Sequence, residues 1–180
     1  MKKALIIIDY VYDFVADDGK LTCGKCAQSI DEFISTKVKD FSLAGDFVVT
    51  AIDLHDAQDL FNKEREMFPA HCYDQKGQAL YGKTRQAVAD TPPSQYIAVN
   101  KNRYSAFFGT NLDLKLKERN VHEIHLTGVC TDICILHTAI DAYNLGYDIT
   151  IYKDGVASFN TLGHEYALEH FKNILGATVI

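Results

Sequence analysis

The sequence predicts an α/β fold: three layers, with a doubly wound, six-stranded and mostly parallel sheet carrying helices on both faces. Three observations support this. Apolar runs of strand length alternate with longer segments of helical period, the pattern of a sheet whose strands are joined by helices. Gly45, Gly146 and Gly176 each stand just past a helical segment, where a left-handed C-cap is favoured, and a β-rich run follows at once. The 180 residues are 47% hydrophobic and show no repeat, low-complexity tract or linker-like shift in composition, so one domain over 1–180 with a full core is expected.

The elements follow in order. Strand 4–9 is an aliphatic run from Ala4 to Ile8 closed by Asp9. A helix over 27–42 ends ahead of Gly45, and strand 47–53 runs into Asp53. Segment 54–79 has little periodicity, and a loop of that length in a compact domain is usually functional or disordered. Helix 83–90, strand 95–100 and helix 110–119 come next, the last with Leu112, Leu114 and Leu116 and with Thr110 as the expected N-cap. Strand 123–127 turns through Gly128 to Cys134 into helix 132–145, which carries Ala139, Ile140, Ala142 and Tyr143. Strand 148–152, helix 162–175 and strand 177–180 complete the chain.

Eighteen basic against twenty-four acidic residues give a net charge of −6 with no basic run, which argues against a phosphate-tracking nucleic-acid binder and for a small or neutral partner. The run Ala4 to Ile8 is far short of the ~18 apolar residues of a membrane span, and no small-residue cleavage site follows an apolar stretch. A soluble, cytoplasmic protein is expected. Five cysteines leave at least one thiol free, which fits a reducing compartment. Cys23 and Cys26 form a C-x-x-C, but in a polar loop ahead of a helix and with no second pair to complete a metal site, so neither a redox pair nor a zinc half-site is expected there.

In open parallel sheets ligands bind beyond the carboxyl ends of the strands, where Asp9, Asp53, Lys101 and the 128–134 turn should converge. Cys134 would lie in the first turn of a helix, whose free N–H groups and positive dipole end favour a thiolate; the N–H groups of Cys130 and Cys134 could also hold an oxyanion. Read alone, the two cysteines are equally small buried hydrophobes at helical spacing. Asp9 and Lys101 are either an ordinary ion pair or the proton carrier and cation of a cysteine nucleophile. Asp53, His55, Glu64 and His71 form a ligand set of two carboxylates and two imidazoles suited to zinc, manganese or iron, with Asp56, Asp59, Glu66 and Cys72 nearby as competing donors. Phe14, Phe68, Tyr104 and Phe107 lie near these residues and either sandwich a planar substrate or belong to the core, the core reading being preferred for Phe107.

Taken together, Asp9 within Ile8-Asp9-Tyr10-Val11-Tyr12-Asp13-Phe14, then Asp53-Leu54-His55, Phe68-Pro69-Ala70-His71, Lys101 through Phe107, and Gly128 through Cys134 resemble the isochorismatase-like cysteine hydrolases, with nicotinamidases (of the type that also takes pyrazinamide) the nearest branch. The resemblance spans the chain from Lys3 to Ala177 in collinear order. It implies Cys134 as nucleophile, Asp9 as general base and then acid, Lys101 as the third member of the triad, and an oxyanion hole from the N–H groups of Cys130 and Cys134. It also implies one divalent metal ion, most readily zinc, on Asp53, His55 and His71 with Glu64 as a variable fourth ligand, and a pyridine ring held between Phe14, Phe68 and Tyr104. A non-proline cis peptide at Val129–Cys130 and a homo-oligomeric state are implied as well.

The activity implied is hydrolysis of nicotinamide to nicotinate and ammonia through a thioester, with Lys101 keeping the sulfur anionic. A family relative acting on a carbamoyl or ureido amide is the alternative that the triad alone would equally fit. The sequence departs from many relatives at Phe68, where Trp is common, and at Cys130, where an aliphatic residue is common. A Cys130–Cys134 disulfide is disfavoured by their spacing around a helix start. His137 is expected to be a packing residue.

Overall fold

In the computed structural model, which describes residues 2–180, six strands form one parallel sheet in the order β3-β2-β1-β4-β5-β6. The strands are β1 (Lys2–Ile8), β2 (Phe47–Asp53), β3 (Tyr96–Lys101), β4 (Val121–Val129), β5 (Asp148–Ala157) and β6 (Thr178–Val179). Helices α1 (Tyr12–Val15), α2 (Lys25–Ser29), α3 (Asp31–Leu43), α4 (Glu64–Met67), α5 (Gly82–Ala89), α6 (Leu112–Lys117), α7 (Leu136–Leu145) and α8 (Thr161–Asn173) join them, with a π-helical turn at Thr131–Ile135. The order reverses between β1 and β4, so the carboxyl ends of β1, β2, β3 and β4 border one crevice.

β1 is buried on both faces, which is why its sequence is a continuous apolar run rather than an alternation. Ala4, Ile6 and Ile8 face a core shared with Leu112, Leu116, Ala139 and Phe171; Leu5 and Ile7 face a second core with Ile34, Val38 and Ala87. One face of the sheet thus packs on α3 and α5, the other on α6, α7 and α8. The expected C-cap glycines all take left-handed φ, 72° at Gly45, 82° at Gly146 and 62° at Gly176. Among the described residues no helix is long and apolar enough to cross a membrane.

Four boundaries differ from the sequence expectation. The helix expected over 27–42 breaks at Ile30 into α2 and α3. There Ser29 Oγ donates to the Cys26 carbonyl, and the Asp31 carboxylate accepts from the N–H groups of Lys83 (2.7 Å) and Thr84 (3.0 Å), which caps α5 from another element. Thr110 is not the N-cap residue: α6 begins at Leu112, while the Thr110 hydroxyl donates to the Ala106 carbonyl and accepts from Leu112 N. β5 does not stop at Tyr152. Past that point Lys153-Asp154-Gly155 belong to a bulge, across which pairing with β4 resumes at Gly128↔Val156. The helix start expected at Asp132 is instead the wide π turn.

The Val129–Cys130 peptide bond is cis. Immediately before it, Gly128 has φ 115°, and a Cβ there would stand 2.0 Å from the Ile8 carbonyl oxygen and 2.8 Å from Ile8 N. Gly128→Ala is therefore expected to cost about 3 kcal/mol or more, from a strained φ together with a backbone clash between the two central strands. A urea melt would read this as a fall in midpoint; a loss under about 1 kcal/mol would mean that β1 and β4 yield easily.

Candidate active site

Four strand ends supply the centre of the crevice. Asp9 follows β1 with a left-handed φ of 52°, and its Oδ1 accepts from Asp53 N at 2.8 Å, which ties the end of β1 to that of β2. Lys101 ends β3 fully buried. Its Nζ lies 2.7 Å from Asp9 Oδ2, 2.6 Å from Asp53 Oδ1, 3.2 Å from the Arg103 carbonyl and 3.7 Å from Cys134 Sγ. Asp9, Asp53 and Cys134 each bring a ligand-type atom within 4.8 Å of the others. Asp9, Lys101 and Cys134 are therefore gathered from three distant stretches of chain into one buried group.

The π turn that carries Cys134 is pinned on several sides. The carbonyl of Cys130 accepts from Ile133 N (3.1 Å) and Ile135 N (3.2 Å), passing over Cys134 between them. Asp132 accepts from Ser158 Oγ and Asn160 Nδ2, and Thr131 shares a hydrogen bond with the His164 ring. The N–H of Cys130, just after the cis bond, donates to no acceptor among the described residues.

Burial and charge set the titration of the group. Burial pushes the Asp9 carboxyl up to about 7, the Asp53 charge adds to this, and Lys101 opposes it. Against the cost of its own burial, Asp53 is held below the usual carboxylate range by Lys101 and by His55. Lys101, despite burial, is raised well above the ordinary lysine value by Asp53 and Asp9. Burial pushes the Cys134 thiol well up and the Asp9 and Asp53 charges add to this, while the Lys101 ammonium opposes them.

The second constellation comes together as well. His55 Nε2 lies 3.8 Å from Asp53 Oδ2 and 3.6 Å from Glu64 Oε2, and His71 Nε2 lies 3.8 Å from Glu64 Oε2. A metal ~2.1 Å from each of two ligand atoms at a tetrahedral angle spaces them by about 3.4 Å, so these four side chains need contract only slightly to hold one. The outer nitrogens are already engaged. His71 Nδ1 bonds the Pro69 carbonyl at 2.7 Å and His55 Nδ1 pairs with Asn62 Nδ2 at 2.8 Å, while His55 Nε2 is buried with no partner. An orphaned buried nitrogen facing two carboxylates is what a cation would satisfy. The competing donors do not join the group: Asp56, Asp59 and Glu66 are exposed, and Cys72, though buried, brings no ligand atom to it.

Asp9, Phe14, Asp53, Glu64, Phe68, His71, Tyr104, Cys130 and Cys134 all line one cavity. Phe107 does not; it is a core residue stacked on Tyr147, as the preferred reading of the sequence had it. His137 is exposed rather than packed inside, its ring against Tyr104 and one nitrogen on the Ile133 carbonyl. Sequence reasoning missed Leu21, Ile133 and Phe159 on the cavity wall, and the buried Asn62 and Asp13. Asp13 Oδ2 accepts from Cys72 N at 2.7 Å and so fixes the strand of loop that follows His71. Only Asp13 carried a signal, as an acid between the aromatic residues Tyr12 and Phe14.

Residues 3–180 match the family model of the isochorismatase domain. A curated relative from Bacillus subtilis (strain 168), described as an uncharacterized isochorismatase family protein PncA, is 52% identical over 99% of each chain. Among solved structures, the nicotinamidase/pyrazinamidase PncA from Bacillus subtilis is 50% identical with a TM-score of 0.96 over 99% of each chain. The pyrazinamidase of Pyrococcus horikoshii, solved in complex with zinc, is 26% identical with a TM-score of 0.87 over 100% of this chain and 99% of that one.

Removing the ammonium while keeping its bulk leaves two buried carboxylates facing each other. Lys101→Met is expected to cost about 3–5 kcal/mol in urea denaturation. An unchanged midpoint would mean that Asp9 and Asp53 are not both charged in the native protein.

Proposed function

The chain belongs to the isochorismatase family, and on that premise we propose that it is a nicotinamidase, hydrolysing nicotinamide to nicotinate and ammonia through a cysteine thioester. The observation that carries the reading is the juxtaposition of two sets under one cavity: a buried Asp9, Lys101 and Cys134 group, and the Asp53, His55, Glu64 and His71 set beside it. A cysteine with a neighbouring carboxylate suits acyl transfer generally; the adjoining ligand set suits a substrate whose ring nitrogen is itself a donor. The two solved neighbours named above, a nicotinamidase/pyrazinamidase and a pyrazinamidase, support the same substrate class.

In this reading the Asp9 carboxylate takes the proton of the Cys134 thiol as the sulfur attacks the carboxamide carbon. The tetrahedral oxyanion forms in front of the N–H groups of Cys130 and Cys134, the first of which has no other acceptor. Asp9 then returns the proton to departing ammonia, takes one from water, and the thioester is hydrolysed to nicotinate. Lys101 holds the Asp9 carboxylate in place throughout and offsets its charge. Asp53, His55 and His71, with Glu64, would hold a divalent ion, zinc by preference, though manganese and iron suit the same donors. When bound, the ion supplies a Lewis acid for the pyridine nitrogen, which orients the ring. Phe14, Phe68 and Tyr104 would flank that ring, and the bonds at Nδ1 fix the rings of His55 and His71 so that both Nε2 atoms face Glu64 and would be free to hold the ion. Free thiols and a small neutral substrate fit a cytoplasmic protein.

Ammonia release should be followed with nicotinamide and, in parallel, with a ureido amide. Turnover of nicotinamide is expected; turnover of the ureido amide alone would keep the triad and reassign the substrate. Cys134→Ala, with folding checked by circular dichroism, is expected to lower turnover by at least ~10³-fold, and retention of near wild-type rate would refute the nucleophile. Stripping the metal with a chelator is expected to lower Tm by about 5–10 °C, reversed by added zinc, because an ion that binds only the native state stabilises it by mass action. An unchanged Tm and rate would exclude a resident metal at these four residues.

A further inference from the structure

The C-x-x-C of the sequence has no role in the reaction, yet one of its cysteines meets a third. Cys23 Sγ lies 3.1 Å from Cys130 Sγ, about 1 Å beyond the ~2.05 Å of a disulfide bond, across 107 positions of sequence. Both residues are buried, and Cys130 lines the cavity. The other thiols are engaged elsewhere: Cys26 Sγ faces the carbonyls of Cys23 and Ser158, and Cys134 Sγ faces Lys101. The cysteine facing Cys130 is thus neither its helix neighbour Cys134 nor the partner that the C-x-x-C motif suggests for Cys23.

We propose that Cys23 and Cys130 are a redox-modification site, a dithiol that a peroxide closes reversibly to a disulfide and that lowers turnover when closed. The two sulfurs share one contact in which either can donate; with Cys130 as the donor, Cys23 is the attacking sulfur, its thiol held below the ordinary value while Cys130 is pushed up. Its thiolate attacks a peroxide oxygen: the S–O bond forms, the O–O bond breaks, and the departing oxygen leaves as water or alcohol after taking a proton. The Cys130 sulfur then attacks the Cys23 sulfur: the S–S bond forms, the S–O bond breaks, and the hydroxyl leaves as water with the Cys130 proton. Two thiols are oxidised by two electrons and one peroxide is reduced.

The consequence follows from where Cys130 sits. Its N–H follows the cis bond with no acceptor, and its carbonyl anchors the turn of Cys134 through Ile133 and Ile135. On the other side, Cys23 N donates to the Phe14 carbonyl at 2.9 Å, so the loop holding Cys23 is itself tied to the cavity wall. Closing the gap between the sulfurs therefore draws on the backbone that presents the Cys130 N–H. A displacement of that size at an oxyanion donor lowers turnover by roughly tenfold or more. This second half rests on the amide hydrolysis proposed above, whereas the linkage itself does not.

The linkage is best read in Cys134→Ala, treated with hydrogen peroxide, alkylated, digested with trypsin and mass-analysed. Cleavage after Lys20, Lys25, Arg119 and Lys153 places Cys23 alone on residues 21–25 and, in this variant, Cys130 alone on residues 120–153. The expected result is those two peptides joined, at about 2 Da below their summed mass, and separated by a thiol reductant. Both cysteines recovered alkylated, or Cys130 joined to any other cysteine, would overturn the site. For the effect on turnover, wild type should lose activity with peroxide and regain it with reductant, while Cys23→Ser keeps wild-type turnover when reduced and forms no link. A linked wild-type protein that turns over nicotinamide at the reduced rate would overturn the regulatory half.

Discussion

A single ammonium organises this site. Lys101 Nζ sits within 2.7 Å of two carboxylates, one from the end of β1 and one from the end of β2, with all three side chains out of water. At an effective dielectric constant of ~20, each contact is worth roughly 6 kcal/mol of attraction, set against several kcal/mol of desolvation for each ion. The trio is therefore stable only while complete. Since Asp9 Oδ1 also binds Asp53 N, the ends of three neighbouring strands are joined by charge and hydrogen bond as well as by their ladder.

The trio also accounts for the character of its neighbours. Asp9, Asp53 and Glu64 bring three carboxyl groups and Lys101 one ammonium into a buried volume, and the orphaned His55 Nε2 faces two of those carboxyl groups. Burial together with the Asp53 charge raises both Asp9 and Glu64. A divalent cation on the adjoining ligands offsets this charge, and the same electrostatics that favour it leave Asp9 able to take and return a proton. Proton carrier and ligand set are in this sense one electrostatic unit, divided between two sides of Lys101.

Backbone geometry does the remaining positioning. Close approach of β1 and β4 at Gly128 brings Asp9 and the turn holding Cys134 to the same depth, and the wide π turn directs the cysteine inward where a regular helix start had been expected. Hydrogen bonds from Ser158 and Asn160 to Asp132 secure that turn against the end of β5. Those contacts exist because β5 runs on through its bulge to Ala157, beyond Tyr152, where the strand was expected to end.

Much of the architecture was legible in the sequence because it depends on local chemistry. Apolar strand-length runs, C-cap glycines and acidic or basic residues at strand ends are set by a residue and its immediate neighbours, and parallel topology then sends those ends to one crevice. Asp9, Asp53 and Lys101 could be named in this way, Cys134 from its place at a helix start, and His55, Glu64 and His71 as ligand-type residues in the long loop after β2. The break at Ile30, where the Asp31 carboxylate caps a distant helix, the bulge in β5, the walls at Leu21 and Phe159, and the meeting of Cys23 with Cys130 could not. Nor could the surroundings of Cys134: a helix start favours a thiolate, whereas burial beside Asp9 and Asp53 pushes the thiol up and Lys101 opposes them. Spacing along the chain determines which residues arrive at the site. Burial and contacts between remote segments, which only the folded chain defines, decide what state they are in when they get there.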